Sequence, residues 1–223
     1  MPEQQYQRVD LQLIAMRDHM LSILEQQKLV SDSKLLLYRF SAAGDFVSRF
    51  TTIHSDQVTA VVAGGMGGLP ILPLESFKGH KLTYPVGIGD FKDLVEKEFM
   101  LKNFRNVAMM LVQGDLDEND SVVESKYITT EEAFSSDSYN YAQAVWINKT
   151  FGNLPINRLP QIIDIYHSVG VKDFSYVVMK GEQHRDKYIK PNAAKFFRCV
   201  LAKTEQCAEK INQIMAKIDY SQK

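Results

Sequence analysis

A basic excess, long apolar runs and a cysteine framework are all missing from this 223-residue chain. Lysine and arginine number 26 against 27 aspartates and glutamates, a formal net charge of −1. With its basic residues scattered rather than striped, the chain lacks the electrostatic footprint of a phosphate-tracking nucleic-acid binder. No stretch approaches the roughly 20 apolar residues that cross a bilayer, so no membrane span is expected. The start, Met-Pro-Glu-Gln-Gln, has no basic patch leading into an apolar stretch and does not read as a signal peptide. The sequence as written is expected to be cytoplasmic; a longer true start carrying an export signal would make it secreted. Cysteine occurs only at Cys199 and Cys207. Both fall on one predicted helix, where eight residues span about 12 Å, beyond disulfide reach. They are expected to be buried small apolar side chains, neither a bridge nor a metal site.

What is present suits a globular α/β protein. Hydrophobic residues make up 45% and charged residues 24%, enough apolar material for a sizeable core. Val9, Leu13, Met16, Met20 and Leu24 recur at spacings of three and four, predicting an amphipathic helix over 9–27. The continuous apolar runs Lys34 to Phe40, Gln57 to Ala63, Val107 to Val112 and Phe174 to Met179 predict four buried parallel strands. Helices are expected from Asp45 to Thr52, Glu131 to Phe151 and Asn157 to Val169. A last one, opened by Pro191, runs as a single apolar stripe through Phe197, Val200, Leu201, Cys207, Ile211, Ile214 and Ile218. Residues 69 to 105, rich in proline, glycine and aromatics, predict little regular structure before Phe91 to Glu98. Alternating strands and helices imply a parallel sheet in a three-layer sandwich, folded as a single domain over 1–223.

Three strand ends carry the chemistry. A hydrolytic serine needs a turn that exposes its Oγ, a histidine to take the proton and an acid to orient the histidine. Ser41 follows the first strand and precedes a helix, Asp117 follows the third strand, and His184 follows the fourth. Both type and order fit a Ser–acid–His triad. Asp115 and Asp120 stand as alternatives to Asp117. A turn serine opening the next helix and a solvated loop histidine remain the plainer readings of Ser41 and His184. Asp115, Asp117, Asn119 and Asp120 resemble the opening of a calcium loop. Its sixth and twelfth positions would be Asp120 and Lys126 rather than glycine and glutamate, so no calcium site is expected. Gly64-Gly65-Met66-Gly67-Gly68 lacks the ending of a phosphate loop and reads as a cleft-lining loop. Met66 and Leu69 are the expected contacts for an apolar acyl group.

The stretch FSAAGDFVSRFTTIHSDQVTAVVAGG, from Phe40 to Gly65, resembles an α/β-hydrolase-like esterase family whose elbow reads Gly-Phe-Ser-Ala-x-Gly. Ile71 to Leu94, Gly114 to Val122 and the Gly-x-x-His segment at Gly181 to His184 extend the resemblance over about residues 9–198. Residues 199–223 form a C-terminal helical extension. The resemblance implies Ser41 as nucleophile, Asp117 as triad acid, His184 as base, and carboxylic esters or related acyl compounds as substrates. The backbone N–H of Ala42 is the expected first oxyanion donor, and no metal or organic cofactor is implied. The chain departs from the family at Arg39 and Ala43, where glycines are usual, and at His54-Ser55 in place of His-Pro. It also begins at the helix before the nucleophile strand, without the strands whose loop supplies the second oxyanion donor. An open sheet edge follows from that, as does the expectation that the C-terminal helix covers the sheet or pairs with a second copy. The alternative to a serine esterase is a catalytically degenerate hydrolase fold serving as a binding or assembly module.

Overall fold

The computed structural model describes residues 8–122, 130–131, 134–136 and 138–220. It divides between Leu35 and Leu36 into two compact units. The first holds helix α1 (Val9–Gln26), in which no residue is buried and Met16 is 70% exposed. Helix α1 ends where Lys28 turns left-handed and Gln27, Lys28 and Leu29 return their amides to Ile23, Glu25 and Leu24. Within this unit Arg17 Nη1 donates to the Ser33 carbonyl at 3.2 Å.

The second unit is built on four strands. Strand β1 (Leu35–Phe40) leads into α2 (Ala42–Ile53), and β2 (Val58–Gly64) follows. A small antiparallel hairpin, β3 (Ser76–Phe77) with β4 (His80–Lys81), turns at Lys78 and Gly79, both at positive φ. The short helices α3 (Phe91–Val95) and α4 (Leu101–Phe104) complete the segment expected to be irregular. After β5 (Ala108–Gly114) come α5 (Tyr141–Phe151) and α6 (Pro155–Ser168), then β6 (Phe174–Met179), α7 (Ile189–Leu201) and α8 (Cys207–Met215). The sheet order is β1-β2-β5-β6, with β2–β5 and β5–β6 paired parallel. Strand β5 is buried at every position, and β2 and β6 at all but one, as expected of strands covered on both faces. Strand β1, at the sheet edge, has only Leu37 buried. One face packs Ala60, Val62, Met110, Val112, Val177 and Met179 under α7 and α8. The other face, by the two-residue alternation of strands, is covered by α2 and α6. This is a three-layer α/β sandwich.

Two helices differ from expectation. The helix foreseen from Glu131 begins at Tyr141, because Asn140 accepts the Gln143 amide while Gln143 returns its side chain to the Asn140 amide. That reciprocal capping box is a strong start signal, and described residues 134–136 and 138–140 are not helical. Residues 132–133 and 137 of the foreseen helix lie outside the described residues.

The long C-terminal helix is in fact two. It breaks after Leu201, where Lys203 and Gln206 both turn left-handed, and α8 restarts with its first amides on the Asp173 carboxylate. Cys207 N and Ala208 N reach Asp173 at 3.2 and 2.8 Å. The reversal folds α8 back along α7 and brings Cys199 and Cys207 to a Cα separation of 5.8 Å, joined as a disulfide. The expected 12 Å separation assumed one straight helix, and the bridge corrects it. Of the two roles foreseen for this region, covering the sheet is the one observed: Cys207, Ala208, Ile211 and Met215 are buried in the core cluster.

Candidate active site

Ser41 is the single residue between β1 and α2. Its backbone sits at φ 58°, ψ −138°, a conformation costly for a residue with a Cβ. The turn is held by the Ser41 N–H on the Gly64 carbonyl at 2.8 Å. The Ser41 carbonyl accepts the amides of Gly44 and Asp45, at 2.7 and 3.1 Å. Its hydroxyl caps no amide of α2, so the Oγ stays available to other partners. Gly44 makes the tight turn possible: a Cβ there would lie 2.8 Å from the Gly64 carbonyl oxygen. Arg39 is exposed and its Nη1 donates to the Tyr38 carbonyl at 3.0 Å, so its long side chain lies away from the elbow interior.

His184, in the loop after β6, meets Ser41 Oγ through Nε2 at 2.9 Å. Its other nitrogen, Nδ1, faces Asp117 Oδ2 at 2.9 Å. An ionised carboxylate only accepts, so Nδ1 carries the hydrogen and Nε2 of the neutral ring accepts from the hydroxyl. Asp117 is 3% exposed, and its second oxygen accepts the Asn119 amide at 3.0 Å. The Phe40 ring packs on the imidazole with centroids 4.6 Å apart. The two competing carboxylates are engaged elsewhere. Asp115 Oδ1 accepts the Gly181 amide at 2.6 Å, while Asp120 takes Gly68 N at 2.7 Å and a two-pronged contact from the buried Arg158.

Ala42 lies in the first turn of α2, where a backbone N–H has no intrahelical acceptor. Met66 and Leu69, the expected acyl contacts, are 4% and 2% exposed. The loop folds inward because its polar groups are met from below. Leu69 exchanges hydrogen bonds with the Tyr139 hydroxyl through both N–H and carbonyl, at 2.9 and 3.0 Å.

Sequence reasoning gave Asn119 and Arg158 no part in the site. Asn119 Nδ2 stands 3.4 Å from His184 Nε2. The sequence carried a hint of it, since Asn119 falls in the acidic run after β5. Arg158, fully buried in α6, had no signal at all.

Asp45, four residues after the elbow, accepts the Gly67 amide, and burial pushes its carboxyl up from 3.8 to about 7. Arg49 and the Gly67 amide offset part of that rise, and the Asp120 charge adds to it. A carboxyl raised by folding contributes stability that is fully present below its unfolded value and lost as pH climbs through the folded one. Asp45→Asn, which keeps an acceptor for Gly67, should therefore raise the melting temperature at pH 8 and change it little at pH 4. The gain is on the order of a few kcal/mol at most. Melting curves showing the same shift at both pH values would exclude burial of this charge as the cause.

No family model and no curated protein sequence matches the chain. Solved structures do. Poly(aspartic acid) hydrolase-1 from Sphingomonas sp. KT-1 aligns with a TM-score of 0.52 and 16% identity, over 79% of this chain and 59% of that one. Est1E from Butyrivibrio proteoclasticus aligns at 0.33 and 14%, over 83% and 69%. An acylaminoacyl peptidase aligns at 0.39 and 11%, over 86% and 28%. At these identities the comparison concerns fold alone, and the first carries it. The chain spans less than two thirds of that hydrolase's length.

Proposed function

From an α/β-hydrolase fold, we propose that this chain is a serine hydrolase of carboxylic esters or related acyl compounds, with Ser41 as nucleophile, His184 as base and Asp117 as its orienting acid. The observation that carries the reading is the unbroken relay from Ser41 Oγ through both nitrogens of His184 to a buried carboxylate, with 2.9 Å at each step.

The chemistry follows from the contacts. As Oγ bonds to the acyl carbon, its proton passes to His184 Nε2, and Asp117 stabilises the imidazolium through Nδ1–H. The proton then goes to the departing alcohol oxygen as the ester C–O bond breaks. Water attacks the acyl-enzyme in the second half, giving a proton to Nε2, which returns it to Oγ as the acid leaves. In this scheme the Ala42 amide, in the first turn of α2, donates to the oxyanion. Each such donor is worth roughly 10²- to 10³-fold in turnover. The small-molecule acyl substrate needs no metal or organic cofactor in this scheme.

One observation favours a second reading, that of a non-catalytic binding or assembly module. Strand β1, which leads into Ser41, is an edge strand of its sheet among the described residues, and a second copy could add there. Labelling with a fluorophosphonate probe, alongside a native mass, separates the two. Labelling of the wild type that disappears in Ser41→Ala is the expected result. Folded wild type that never labels, as monomer or oligomer, would sink the hydrolase reading.

A further inference from the structure

Breakdown of an acyl-enzyme needs a water molecule at the same imidazole nitrogen that served the nucleophile. Among the described residues His184 Nε2 has two side-chain hydrogen-bonding partners, Ser41 Oγ at 2.9 Å and Asn119 Nδ2 at 3.4 Å. Asn119 is exposed, yet its position is fixed from both sides. Its own amide donates to the buried Asp117 carboxylate at 3.0 Å. The next residue, Asp120, is gripped by Arg158 through Nη1 at 3.0 Å and Nη2 at 2.7 Å. Arg158 is in turn saturated by the carbonyls of Gly152 and Gly68 and by Asn148 Oδ1. A carboxamide that donates and accepts is thus held beside the reacting nitrogen, and among the described residues its side chain has no other partner than His184.

Resting on the serine-hydrolase reading above, we propose that Asn119 is a further catalytic residue that holds the hydrolytic water at His184 Nε2 during deacylation. The water oxygen bonds to the acyl carbon while its proton passes to Nε2. The acyl C–Oγ bond breaks, Oγ recovers that proton, and the carboxylic acid departs. Acylation uses no such water, so the contribution of Asn119 is confined to the second half of the cycle.

Stopped-flow release of p-nitrophenol from p-nitrophenyl acetate tests this in wild type, Asn119→Ala and Ser41→Ala. In Asn119→Ala a first phase at the wild-type acylation rate should be followed by a steady state slower by roughly ten- to hundredfold, the worth of one hydrogen bond to a reacting group. Intact mass should find the variant carrying one acetyl group under turnover. Its melting temperature should match the wild type, since the side chain is exposed. Equal slowing of both phases would overturn the proposal, because it would mean that Asn119 only steadies His184. An unchanged steady state would overturn it as well. A wild type whose release does not depend on Ser41 is a different failure: it removes the hydrolase reading, and the role of Asn119 with it.

Discussion

Asp117→Asn is expected to slow ester turnover by about 10⁴-fold while leaving the fold intact. The effect is large because the change acts on the tautomer of His184. Asp117 is buried against Nδ1 at 2.9 Å, and as a carboxylate it can only accept there. A carboxamide can present an N–H instead, which allows Nδ1 to accept and puts the ring hydrogen on Nε2, where it cannot take the Ser41 proton. Asp115→Asn is the matched control, since Asp115 binds the Gly181 amide rather than the histidine. Steady-state hydrolysis of p-nitrophenyl acetate, with circular dichroism to verify folding, makes the comparison. A loss of less than tenfold in Asp117→Asn, or an equal loss in Asp115→Asn, would remove Asp117 from the acid role.

Gly114→Ala should be the most damaging single-methyl change near the site. Gly114 ends β5, and a Cβ there would fall on the Glu182 carbonyl oxygen and within 2.9 Å of that of Gln183. Those atoms belong to the backbone that delivers His184, so no side-chain rotation relieves the clash. The two loops are also laced together, with Leu116 N on the Glu182 carbonyl at 3.0 Å and Asp115 N on the Met179 carbonyl at 3.2 Å. Overpacking of this kind typically costs about 1–3 kcal/mol. Activity should suffer more than stability, because displacing a catalytic group by 1 Å costs on the order of 10²-fold. Denaturant melts and turnover on the same samples would show it; full activity in Gly114→Ala would mean that the acid and base loops need not meet here.

Much of this was legible from residue order. The strands were clear because β2, β5 and β6 are nearly continuous apolar runs, and the triad candidates stood out because each follows such a run. The choice among Asp115, Asp117 and Asp120 was not legible. Three aspartates within six residues differ only in where a turn aims them, and the turn is fixed by long-range partners such as Arg158 and Gly181. The burial of Met66 and Leu69 was not legible for a related reason: a glycine-rich loop reads as open, whereas Tyr139, 70 residues on, draws it into the core. The C-terminal helix misled through its own regularity. Its apolar stripe runs on past Leu201, and nothing in that periodicity reports that Lys203 and Gln206 reverse the chain. The disulfide was missed as a direct consequence.

That disulfide makes the outer layer of the fold conditional on chemistry outside it. Helix α8 supplies Cys207, Ala208, Ile211 and Met215 to the cover over β5 and β6, and only one covalent tie, close to the chain reversal, keeps it against α7. Thiol pools of reducing compartments open such bonds, and oxidising ones preserve them. Opened, the same helix still has its apolar side and the Asp173 cap to retain it. How firmly the sheet is roofed therefore depends on the redox poise of the surroundings.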